Sequence, residues 1–129
     1  MSNRSLFGPP PSSLLPATSD AELFEFIRTD LREFWFPVTA KRSAWYLDIW
    51  VDLSLVTLAR AHVTLTTGEL ITKRAALEVL PTLGAPGAVV ADIAARRYGP
   101  ARRTMPWWRH RRAGLTRRYL RSAIPAVVS

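Results

Sequence analysis

Three side chains of this 129-residue chain stand at a spacing that could do chemistry: Trp45, Asp48 and Asp52. Steps of three and four put them on one stripe of a helix. Two carboxylates beside an aromatic face would suit a polycationic, sugar-like ligand, through ion pairs and cation–π contact. The plainer alternative pairs Asp48 and Asp52 with arginines such as Arg28 or Arg32 and leaves Trp45 in the core, since most helical charges are solvated or paired. His62 falls on the far side of the same helix, where a lone histidine is usually a hydrogen-bonded core residue.

Other chemistries lack their residues. No glycine is followed by serine, no aspartate by a second aspartate two residues on, and the six glycines form no phosphate cradle or hydrolase elbow. Nucleotidyl transfer needs carboxylates that hold metal ions against phosphates, so no catalytic residue is assigned. With no cysteine and only His62 and His110, disulfides are excluded and no metal ligand set is assigned.

The elements that must carry the stripe are helical. Ser19 and Glu22 form a capping box for a first helix, in which Leu23, Phe24, Phe26, Ile27, Leu31, Phe34 and Trp35 make a wide apolar face; Pro37 is expected to stop it at Phe36. A second helix, residues 44–66, is apolar almost all round and therefore central, with Ser43 as its cap and Gly68 free to take the left-handed turn after it. Thr72 caps a third helix, Lys73 to Leu80, and a fourth runs over 88–98 with Val89, Val90, Ile93 and Ala94 inward. The fold class is all-α, a small bundle of four to five helices. Three stretches follow: a Pro- and Ser-rich linker at 1–18, the helical domain at 19–99, and an arginine-rich tail at 100–129.

Charge sets that tail apart. The net charge is +8, yet residues 1–92 hold all ten acids against eight bases, whereas residues 93–129 hold ten arginines and no acid. The tail reads as basic and partly irregular, with one weakly amphipathic helix at 113–123 and a frayed end from Ile124. Trp107, Trp108 and Tyr119 among the arginines open an alternative, a non-catalytic protein whose tail contacts nucleic acid; no RNA-binding motif accompanies the charge. The most hydrophobic stretch, Ala44 to Leu65, includes Asp48, Asp52, Arg60 and His62. A charge at mid-membrane costs ~3 kcal/mol, so this is expected to be a buried helix of a cytoplasmic protein with no membrane partner.

The order of several short stretches resembles the C-terminal half of the streptomycin/spectinomycin (aminoglycoside) adenylyltransferases. Val56-Thr57-Leu58-Ala59-Arg60, Thr64 to Glu69, Thr72-Lys73 and Leu80-Pro81 carry it best, with looser matches at Leu6 to Pro9, Asp20 to Trp35 and Ala94 to Gly99. The resemblance covers about residues 6–99 and implies a two-domain enzyme. Its catalytic domain holds ATP and magnesium at Gly-Ser and Asp-x-Asp motifs absent here, and its helical domain contacts the drug. Such contacts come from the region held here by Trp45, Asp48, Trp50 and Asp52. On this view the chain is the aminoglycoside-binding half of a truncated or split nucleotidyltransferase, needs no cofactor of its own, and acts only with a separate catalytic domain. Two departures stand out: the third helix is about one turn short of the family's, and the tail does not resemble the family's ending.

Overall fold

A computed structural model describes residues 20–100 and 103–129, and those residues contain helices and no strand. The linker at 1–18, its hinge-like Leu6 to Pro9 and the Ser19 cap lie outside the described residues. Helix α1 (Asp20–Asp30) runs into a wide π turn, Leu31–Trp35, and a short α2, Phe36–Val38. Pro37 therefore does not stop the helix at Phe36. It sits at the start of α2, where the preceding wide turn has already changed the hydrogen-bond register and a proline N–H is not needed.

The wide apolar face expected of this segment is narrower in the structure. Only the Ile27–Leu31–Trp35 row turns inward, Ile27 half-buried and the other two fully covered, while Phe26 and Phe34 are exposed. An edge helix meets its neighbours along one stripe, so residues a half-turn away stay outside however apolar they are.

The expected single helix over 44–66 is broken. Arg42–Tyr46 is a 3-10 turn, Leu47 is extended at φ −90° and ψ 134°, and α3 runs from Asp48 to Thr67. Trp45 accounts for the break. Its ring is fully buried, and its Nε1–H donates to the carbonyl of Val38 at 3.1 Å. A buried indole needs that acceptor, and an unbroken helix would have carried Trp45 round beside Asp48 and Asp52. Helix α3 is nonetheless the central one, packed on α1, α4 and α6, with Val51, Leu55, Leu58 and Ala59 inaccessible or nearly so.

Gly68 ends α3 in the left-handed conformation at φ 79°. Helix α4 (Lys73–Val79) begins at Thr72, whose Oγ1 accepts the Ala75 N–H at 3.0 Å, and passes into a 3-10 turn at Leu80–Leu83. Helix α5 (Gly87–Tyr98) buries Val89 and Ile93, with Val90 only half-covered.

The largest departure is at the C-terminus. Residues Pro106–Val128 form one helix, α6, instead of a partly irregular tail with a frayed end. Arg112, Ala113, Thr116, Leu120 and Ile124 are buried at helical spacing, and α6 packs on α3, α5 and the 3-10 turn at 42–46. The segment thus shares the core of the helical domain.

Candidate functional site

Helices α3, α5 and α6 converge on a cluster of three carboxylates and three guanidinium groups. Asp48 opens α3, where a carboxylate is favoured by the positive end of the helix dipole, and Asp52 follows one turn later on the inward side. Asp92 and Arg96 stand one turn apart on α5, so the Nε of Arg96 donates to Asp92 Oδ2 at 3.0 Å. From there the Arg96 fork reaches Asp52 with two bonds, Nη2 to Oδ1 at 2.6 Å and Nη1 to Oδ2 at 2.9 Å. Such a bidentate pair is the strongest geometry open to these side chains.

Arg112 of α6 closes the cluster. It is fully buried, its Nη1 donates to Asp92 Oδ2 at 3.0 Å, and its Nη2 lies 2.7 Å from Asp48 Oδ1 and 3.3 Å from the Tyr46 carbonyl oxygen. The Asp48 contact is ionic without being a directed hydrogen bond, and among the described residues the Nε of Arg112 and the hydroxyl of Thr116 find no hydrogen-bond partner. Arg97 adds a looser contact to Asp52 at 3.5 Å. Burial would raise the Asp92 carboxyl, but hydrogen bonds from Arg112, Arg96 and Trp108 and the Arg96 charge hold it below its ordinary value. Burial would likewise lower Arg96; its bonds to Asp52 and Asp92 keep it above the usual arginine value.

Asp48 and Asp52 are therefore brought together, and both meet arginines. The partners are Arg96, Arg97 and Arg112 and not Arg28 or Arg32, the latter lying 3.5 Å from Glu25. Trp45 and Trp50 go elsewhere, into an aromatic group with Phe34 and Trp35. Trp50 is its hub, with ring centroids 6.3 Å from Trp45, 5.8 Å from Trp35 and 6.2 Å from Phe34. The stripe of one indole and two carboxylates expected of residues 45–52 does not exist, because the chain turns at Leu47.

No protein-family model, curated protein or solved structure matches this chain. The arrangement of its own residues thus bears the functional argument. His62 is half-buried on α3 and takes no part in the ionic cluster. Among the described residues, no group of three or more acids and histidines could hold a metal ion, and no helix is long and apolar enough to cross a membrane. Asp92, Arg96 and Arg112 escaped the sequence reading. The four-residue step from Asp92 to Arg96 was a usable signal; nothing around Arg112 set it apart from the nine other arginines after residue 92.

Proposed function

We propose that this chain is an aminoglycoside-binding helical domain of the adenylyltransferase kind, whose nucleotidyl-transfer site lies on a separate domain. The observation that carries the reading is the Asp48–Asp92 pair, which grips a guanidinium group, that of Arg112, at 2.7 and 3.0 Å. Carboxylates from α3 and α5 spaced to hold one guanidinium suit the cationic groups of an aminoglycoside. Asp48 is the accessible edge of that grip, with 40% of its side chain exposed against 8% for Asp52.

ATP and magnesium belong to the other domain. Among the described residues no group of three or more acids and histidines could hold a metal ion, so no residue of this chain is assigned to magnesium. The test is calorimetric titration of the chain with streptomycin and spectinomycin, alongside Asp48→Asn and the Asp48→Asn/Asp52→Asn double variant. Binding that weakens about tenfold or more in the folded single variant supports the reading, one charged pair accounting for that loss. Folded protein that gives no heat, or binding indifferent to Asp48, rejects it.

A second reading, a non-catalytic protein that contacts nucleic acid, is favoured by the outer face of α6. Arg109, Arg111 and Arg118 are solvent-facing there, and Trp107 is 67% exposed, an aromatic surface available for base stacking. Retention of a single-stranded oligonucleotide that falls steeply with salt and disappears in Arg109→Ala/Arg111→Ala would favour this reading over the first.

A further inference from the structure

A polar cavity of about 300 Å³ lies between the 3-10 turn at 42–46 and α6, apart from the ionic cluster and sharing only Arg118 with the outer face of α6. Arg42, Tyr46, His110, Gly114, Arg117 and Arg118 line it, and no carboxylate does. Among the described residues, Arg42, Arg117 and Arg118 have no carboxylate partner, in contrast to Arg96 and Arg112. Three guanidinium groups crowded around one opening repel one another unless an anion joins them.

The groups are also held in place. Arg117 donates from Nε to the carbonyl of Thr39 at 2.6 Å, which anchors its head, and Tyr46 Oη lies 2.6 Å from Nδ1 of His110. When the tyrosine hydroxyl donates to Nδ1, the ring proton sits on Nε2, which becomes a further donor. Gly114 sits inside α6, where glycine costs about 1 kcal/mol against alanine. A β-carbon there would stand 3.4 Å from Arg118 Nη1, in ordinary van der Waals contact, which places the Arg118 head over the helix at the cavity.

We propose that this cavity is an anion site that takes the phosphate monoester group of a small ligand. A single carboxylate is satisfied by one arginine fork, whereas three guanidinium groups match a dianion with three free oxygens. The pre-anchored Arg117 and the Tyr46–His110 pair lower the ordering cost of binding.

The test follows the phosphorus resonance of inorganic phosphate and of glucose 6-phosphate on titration with the full chain at constant ionic strength. Arg42→Ala and Arg118→Ala, both solvent-facing, should keep the helical circular dichroism and bind either probe about tenfold or more weakly, while Arg60→Ala, exposed on α3 and outside the cavity, binds as the parent does. Three results overturn the proposal: no saturable shift with either probe, equal losses in Arg60→Ala and the cavity variants, or glucose 6-phosphate left bound when an oligonucleotide is held by Arg42 and Arg118. A weak gain in thermal stability from phosphate alone does not count as binding, because phosphate raises protein stability generally.

Discussion

Arg112 Nη2 sits 2.7 Å from Asp48 Oδ1, joining the start of the central helix α3 to the middle of the last helix α6. This contact, with its companion to Asp92, ties the arginine-rich C-terminal segment to the body of the domain. A guanidinium that is fully buried is stable only with such partners, because the desolvation cost of an isolated charge is several kcal/mol.

Removing that partner should therefore be costly. Arg112→Ala is expected to lower stability by about 3 kcal/mol, at the lower end for a broken buried pair because half-exposed Asp48 can turn to water. Arg112→Met combined with Asp92→Asn should cost at least about 1 kcal/mol less than the two single changes added together. Urea unfolding of the four proteins measures the coupling; strictly additive losses would mean that the pair does not interact.

Leu120 offers a second measurement. It is 1% exposed, so Leu120→Ala should cost about 2–5 kcal/mol. Arg111→Ala, on the solvent side of the same helix, should stay within about 0.5 kcal/mol of the parent. If both changes are neutral in thermal or urea melts, the segment is not packed on the core.

Acid sensitivity follows from Asp92. Its carboxyl is held below the ordinary 3.8, so folding favours the ionised form. The resulting stability is fully present above the unfolded value and is lost as pH falls through the lower folded value. Urea midpoints should drop as pH is taken from about 4 toward about 2, and Asp92→Asn should show a shallower drop from a lower starting stability. Superimposable pH profiles for parent and variant would contradict this account.

Tyr119 marks the alkaline side. Burial alone raises its hydroxyl, which donates to the Leu83 carbonyl at 3.0 Å. Because the folded value lies above the unfolded one, its contribution persists below the ordinary tyrosine value of about 10 and is lost as pH rises through the folded value. Ultraviolet titration of the parent against Tyr119→Phe should assign the removed signal to a phenol that ionises above about pH 10.

The Thr72 cap predicts a smaller effect. Thr72→Ala removes the acceptor of the Ala75 N–H and should cost about 1 kcal/mol, while Thr72→Ser should be nearly neutral. Chemical denaturation of the two variants side by side separates the hydroxyl from the methyl group.

Helix class, the central place of the long helix, the Thr72 start and the Gly68 stop were all legible in the residues. Each depends on a local rule: apolar spacing, a side-chain cap, or the freedom of glycine at φ 79°. The candidate cluster was half legible. Asp48 and Asp52 were singled out by spacing, yet their partners lie on helices far along the chain, and no local rule chooses among so many arginines. Tertiary packing made that choice, and made two others against local expectation. It broke the helix at Leu47 so that the Trp45 indole could reach the Val38 carbonyl. It also drew α6 into the core along a stripe whose inner positions include Arg112 and Thr116, polar residues that hide the helical period from any count of apolar side chains. Sequence by itself determined the Thr72 start and the Gly68 stop, since those energies act within a turn or two. Which charges are buried, and against what, was decided only when distant helices met, because a buried guanidinium is tolerated only beside the carboxylates that the fold delivers to it.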